Sequence, residues 1–145
     1  HVELCFRYQD LHSAIELAKH CPETQFILNH CGNPLADPVK ELPTVWRDAI
    51  ARLGVLENVV CKISGIIDIS NAEVWQLADT SRVVDICVEE FGEDRICFGS
   101  NWPVCWMRTT LKDWYEFLNA HLAQSYSDSF RRKFFYDNAV RIYRL

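Results

Sequence analysis

The residues of this chain best placed to do chemistry stand where short apolar runs end in polar residues. Phe26-Ile27-Leu28-Asn29-His30-Cys31-Gly32 runs from apolar to polar and delivers His30, and Ile96-Cys97-Phe98-Gly99-Ser100-Asn101-Trp102-Pro103-Val104 does the same for Asn101. A histidine at the C-terminal end of a strand can move a proton, polarise a carbonyl or ligate a metal. Asn101 is the second candidate catalytic position. Its amide can orient a water or bond a substrate oxygen, but activating that water needs a proton acceptor, a task left to His30. Lys62, in Cys61-Lys62-Ile63-Ser64-Gly65, and Arg7, at the tip of the first run, are cations able to hold a substrate carboxylate. Trp102 stands beside Asn101 and could wall a pocket. Each has a plainer alternative: His30 bonded to loop backbone, Asn101 structural, Lys62 in a salt bridge between elements, Trp102 part of the core. His12, His20 and His121 fall on expected helices and converge on nothing.

These positions require strands followed by helices. Val2 to Tyr8 alternates as a strand does, and Asp10 is placed to cap a helix carrying Leu11, Ala14, Ile15, Ala18 and Cys21 until Pro22 stops it. The Phe26 run is the second strand. After a proline-punctuated loop from Asn33 to Pro43, a helix with Trp46, Ala49, Ile50 and Leu53 stops at Gly54, and Val59 to Gly65 is the third strand. Ser70-x-x-Glu73 reads as a capping box for a short helix through Leu77, and a further helix runs from Arg82 to Phe91 with Val84, Cys87, Val88 and Phe91 on one face. Ile96 to Ser100 is the fourth strand. Thr109 or Thr110 then caps a helix with Leu111, Trp114, Leu118 and Leu122, and a terminal helical segment holds Phe130, Phe134 and Phe135 before restarting near Asp137-Asn138. This alternation, with no glycine-rich phosphate loop after any strand, predicts a parallel sheet in an α/β fold.

At 145 residues with 49% hydrophobic content, the chain is long enough for one core and too apolar to be disordered. A net charge of −5 and no basic run beyond Arg131-Arg132-Lys133 exclude a nucleic-acid surface. No apolar stretch approaches the roughly 20 residues that span a bilayer, so no membrane association is expected. Seven cysteines, several within apolar patterns, predict reduced buried thiols and a cytoplasmic protein. No Cys-x-x-Cys pair exists, so the spacing points to no structural zinc site. The chain begins at His1, so a processed product or a piece of a longer polypeptide is expected.

Four segments together resemble one family. Phe98-Gly99-Ser100-Asn101-Trp102-Pro103-Val104 is similar to the Gly-Ser-Asp-Trp-Pro segment that ends the eighth strand of amidohydrolase-2 (amidohydrolase-related) proteins, a family that includes lactonases of 2-pyrone-4,6-dicarboxylate and of sugar lactones. Phe-x-Leu-x-His-x-Gly at 26–32 resembles its sixth-strand histidine motif, Lys62-Ile63-Ser64-Gly65 its seventh-strand Lys-x-Ser-Gly, and Asn138-Ala139-Val140-Arg141-Ile142-Tyr143 its closing helix. The resemblance implies parallel (β/α) units forming about half of a TIM (β/α)8 barrel, strands five to eight, with residues 1–145 as its C-terminal half; a whole barrel takes ~250 residues.

It also implies hydrolysis of small lactones or cyclic esters. His30 would polarise the carbonyl or bind a metal, and Arg7, Lys62 and Trp102 would contact a lactone or carboxylate substrate. A divalent metal such as zinc is present in some members and absent from others. The family's strand-eight aspartate, its general base, is Asn101 here, and the first-strand His-x-His pair of the wider superfamily is absent, so the chain by itself is expected to be weak or inactive. The expected partner is another half-barrel, either a second copy or the N-terminal half, because strands at two cut edges would expose backbone donors. The alternative is a non-catalytic homologue that binds ligand or assembles without a base.

Overall fold

A computed structural model describes residues 1–34, 42–67 and 77–145. Its strands are the apolar segments β1 (Val2–Leu4), β2 (Phe26–Leu28), β3 (Val59–Ile63) and β4 (Ile96–Phe98), all parallel and ordered β1-β2-β3-β4. Parallel neighbours need long crossovers, and helices α1 (Leu11–His20), α2 (Thr44–Gly54) and α3 (Leu77–Phe91) provide them. Helices α4 (Leu111–Leu122), α5 (Asp128–Arg132) and α6 (Asn138–Tyr143) follow β4, with a π-helical turn at Lys133–Asp137 joining the last two.

The register places Leu4, Leu28, Cys61 and Ile96 in one row across the sheet, and all four are buried in the main core with the apolar faces of α1, α2 and α3. The alternating residues point the other way. On that face Ile27, Val60 and Cys97 are covered by Ile142 of α6, with Tyr143 packed beside them. Both faces of the sheet are therefore buried along its centre, which is why β2 and β3 read as nearly continuous apolar runs.

The N-terminal edge of the sheet is held by side chains that bond loop backbone. Asn58 Nδ2 donates to the carbonyls of Ala18, Cys21 and Thr24 at 3.0, 3.1 and 3.2 Å. Arg95 donates to Leu56, Val59 and Gly54 carbonyls, and buried Asn138 donates to Glu93 and Ile96 carbonyls at 2.7 and 2.8 Å. These bonds satisfy backbone carbonyls around the N-terminal ends of the strands.

Several expectations are corrected. The first strand stops at Leu4 instead of running to Tyr8, and a 3-10 turn at Tyr8–Asp10 leads into α1, so Asp10 makes no side-chain cap. Cys21 lies one residue beyond α1. Gly54 ends α2 for a packing reason: a Cβ there would come within 2.5 Å of the Glu90 carbonyl oxygen on α3. Helix α3 includes Leu77, ahead of its expected start at Arg82. Leu111 is exposed because it opens the first turn of α4, while Trp114, Leu118 and Leu122 form the buried stripe. Thr110 is the cap, its Oγ1 accepting from Asp113 N at 3.1 Å, and Gly92 stops α3 with φ +68°. Ser70, Glu73 and Trp75 lie outside the described residues, as does most of the proline-punctuated loop. No helix among the described residues is long and apolar enough to cross a membrane.

Candidate active site at the strand ends

Beyond Leu28 the backbone leaves the strand through four consecutive left-handed residues, His30 (φ 56°), Cys31 (φ 52°), Gly32 (φ 72°) and Asn33 (φ 54°). For non-glycine residues that conformation costs about 1 kcal/mol each. The turn persists because its neighbours hold it. Trp46 Nε1 donates to the Cys31 carbonyl at 2.7 Å, Asn33 Nδ2 to the Phe6 carbonyl at 2.6 Å, and Asn33 N to the His30 carbonyl at 2.8 Å. Left-handed strain that is over-determined in this way is characteristic of functional segments.

The turn carries the His30 imidazole toward the end of β3, where Nδ1 lies 2.9 Å from Ser64 Oγ. Two glycines make that pairing fit. Gly65 has φ +63°, and a Cβ on it would stand 2.5 Å from His30 Nδ1. A Cβ on Gly99 would stand 2.9 Å from Ser64 Cβ and 3.0 Å from Lys62 Cγ. The glycines after β3 and β4 thus clear room for side chains from the neighbouring strand's segment. Ser64 is 1% exposed and links the β2 tip to the β4 tip.

Asn101 follows at the end of β4 with φ 53°, half-buried, its carbonyl accepting from Cys105 N at 3.0 Å. Asparagine is among the few residues that enter this conformation readily. The next peptide, Trp102-Pro103, is cis. Trp102 is 60% exposed and meets Trp106 edge-on with centroids 6.2 Å apart. A narrow cleft between the β3 and β4 ends, lined by Gly65, Ile66, Ser100, Cys105, Thr109 and Trp114, is too tight to admit a water molecule.

The two candidate cations behave differently. Arg7, beyond β1, is exposed, and its guanidinium makes no hydrogen bond or ion pair among the described residues. Lys62 is engaged: Nζ donates to Glu3 Oε1 and to Tyr143 Oη, both at 2.9 Å, while Tyr143 Oη donates to the same carboxylate oxygen at 2.8 Å. Asn29 Nδ2 donates to the other Glu3 oxygen at 2.9 Å. Burial opposes ionisation of Glu3, but the bonds from Asn29, Lys62 and Tyr143 outweigh it and bring its pKa down to about 2. Burial, with the Glu3 carboxylate beside it, pushes Tyr143 well up. Lys62 thus lies in a neutralised cluster that joins β1, β3 and α6.

His30 offers one metal-ligating ring, and among the described residues it belongs to no group of three His, Cys, Asp or Glu side chains able to hold an ion. Two partnerships escape sequence reading. Ser64 as the partner of His30 depends on the depth of the left-handed turn. Glu3 as the partner of Lys62 follows only once the register places them on one face of the sheet.

The amidohydrolase family model matches residues 1–145. The protein y4mH of Sinorhizobium fredii is 33% identical over 144 residues, covering 99% of this chain and 46% of its own length. The L-fucono-1,5-lactonase of Burkholderia multivorans is 33% identical over 86 residues, 54% of this chain and 29% of that enzyme. A Burkholderia multivorans amidohydrolase solved with bound zinc superposes with a TM-score of 0.93 at 23% identity, over all of this chain and 53% of that one, a likeness of fold alone. The chain spans about half the length of the curated relatives it matches over nearly its whole length. Its parallel four-stranded α/β sheet corresponds to about half of a TIM barrel. With its family model matched from end to end, the chain belongs to the amidohydrolase-2 family.

Proposed function

We propose that residues 1–145 are the C-terminal half of a (β/α)8 barrel that hydrolyses a small lactone of the sugar-acid type. The observation that carries this reading is the His30–Ser64 pair, seated between Gly65 and Gly99 at the C-terminal ends of the strands, where α/β barrels hold their substrates. With Ser64 Oγ donating to Nδ1, the imidazole keeps its proton on Nε2 and can donate to a lactone carbonyl oxygen, stabilising the negative charge that develops there. Arg7, exposed and without a side-chain partner among the described residues, supplies a cation for a carboxylate, and Trp102 an exposed aromatic face for a sugar ring. Lys62, bound to Glu3 and Tyr143, can reach substrate only by leaving them. Relatives that are named L-fucono-1,5-lactonase and L-rhamnono-gamma-lactonase support a sugar lactone as substrate.

Asn101 limits the chemistry. Its amide can hold a water against the carbonyl but cannot take the proton, so the chain by itself turns over weakly or not at all. Closure of the barrel needs a second half, the N-terminal half or another copy, because β1 and β4 have no outer neighbour among the described residues. Asn29 Oδ1, buried and without a partner among the described residues, is an acceptor that the second half or a ligand would satisfy. The neutral Asn101 also favours a second reading, a module that binds the ligand without hydrolysing it.

The test is hydrolysis of a panel of γ- and δ-lactones by the native chain, Asn101→Asp and Asn101→Asp/His30→Ala at one protein concentration, with native mass spectra recorded alongside. Turnover near the spontaneous rate for the native chain, raised by Asn101→Asp and abolished again without His30, is the expected pattern. Robust turnover by the native chain would overturn the assignment of Asn101, and no gain from Asn101→Asp would favour the binding module.

A further inference from the structure

Beneath the strand ends, the main core brings together three thiols that sequence spacing keeps far apart. Cys31 lies in the left-handed turn after β2, Cys61 in β3 and Cys87 in α3, yet their sulfur atoms all lie within 4.8 Å of one another. All three are fully buried. We propose that these thiols form a site for one soft, thiophilic d10 metal ion, with zinc(II) as the common biological case.

The geometry and donor chemistry both favour this. Zinc–thiolate bonds of about 2.3 Å hold ligand sulfurs roughly 4 Å apart in trigonal or tetrahedral sites, a spacing within the limits of this cluster. An all-sulfur donor set selects soft ions over magnesium or calcium. The three ligands come from three separate elements fixed by the sheet and its covering helix, so folding alone assembles the site. The other cysteines are elsewhere: Cys5 is exposed, Cys21 lies beyond α1, Cys97 is on the opposite face of the sheet and Cys105 is at the strand-end cleft.

The protons are accounted for by the metal. An incoming divalent ion releases to solvent one proton for each thiol that becomes a thiolate, two or three in all. Two thiolates and one thiol give a neutral complex suited to the dry core, and three thiolates leave one negative charge. Because Cys31 follows His30 in the same strained turn, an ion bound there would also fix the backbone that presents the imidazole.

The test uses the full chain, reduced and refolded with cadmium(II), because the thiols are enclosed in the folded protein. One equivalent should give thiolate-to-cadmium charge-transfer absorption that is absent when the chain is refolded with zinc(II) alone, and cadmium(II) added to the zinc-refolded chain should displace the zinc and bring the band back. That band should survive in His30→Ala and in Cys5→Ser/Cys21→Ser, and disappear in Cys87→Ala. X-ray absorption on the zinc-refolded native chain, which needs no variant, should show three sulfur neighbours at about 2.3 Å. Absence of the band, its survival in folded Cys87→Ala, or a zinc shell of nitrogen and oxygen would overturn the site; should Cys87→Ala fail to fold, the absorption spectrum of the native chain decides.

Discussion

Glu3→Gln separates the structural part of the inner-face cluster from any role in binding. In the folded chain Glu3 accepts from Asn29, Lys62 and Tyr143 and its pKa falls from 4.5 to about 2. A fall of that size corresponds to about 3 kcal/mol before any allowance for solvent. The Glu3 side chain is 38% exposed and that of Lys62 17%, so solvent screening reduces the contribution. About 1–2 kcal/mol is the magnitude to expect after that discount. The sign follows from the direction of the shift. A carboxylate with a depressed folded pKa stabilises fully above its unfolded value of 4.5, and the stabilisation is lost as pH falls toward 2. Glutamine keeps an acceptor oxygen but has no charge for Lys62, so Glu3→Gln lacks this pH-dependent part. Urea unfolding of both proteins at neutral pH and at steps down through the acid range measures it. The native chain should be more stable at neutral pH, with the gap closing below 4.5. Equal stability at neutral pH, or a gap that persists in acid, would refute the reasoning.

Other substitutions probe other parts of the framework. Asn138→Ala removes two bonds to buried backbone and leaves the Glu93 and Ile96 carbonyls unpaired; a loss of about 2–3 kcal/mol is expected by denaturant titration. Gly65→Ala forces a Cβ toward His30 Nδ1 at a left-handed residue; it should cost about 1–2 kcal/mol and shift the His30 imidazole resonances by breaking the Ser64 bond. Gly54→Ala drives a Cβ into the Glu90 carbonyl, so α2 and α3 must separate at a cost of about 1–3 kcal/mol, read as a lower thermal midpoint. Trp46→Phe removes the bond to the Cys31 carbonyl and leaves a cavity where the second ring of the buried indole packed; a loss of about 2–4 kcal/mol and faster amide exchange in the turn after β2 should follow.

Much of the fold was legible because its strands and helices are periodic. The Leu4–Leu28–Cys61–Ile96 row and the Trp46, Ala49, Ile50, Leu53 face are apolar at the spacings that strands and helices require. Element ends were less legible. Val2 to Tyr8 keeps an alternating pattern after pairing has stopped at Leu4, since alternation reports side-chain polarity and not the presence of a neighbouring strand. At the strand ends, His30 and Asn101 could be found from their place after apolar runs, but their left-handed conformations could not, because non-glycine residues enter that region only where distant groups such as Trp46 hold them. The three-thiol cluster escaped for a related reason. Cys31, Cys61 and Cys87 have no short ligand spacing, and only the sheet register with the α3 packing brings them together.

The most direct measurement is an NMR titration of the labelled chain with a sugar γ- or δ-lactone and its open-chain acid, mapping which resonances move. Saturable shifts centred on His30, Ser64, Gly65 and Asn101, lost in His30→Ala, are expected if the strand ends are the lactone site. Shifts elsewhere on the chain, or the same shifts without the His30 imidazole, would contradict it.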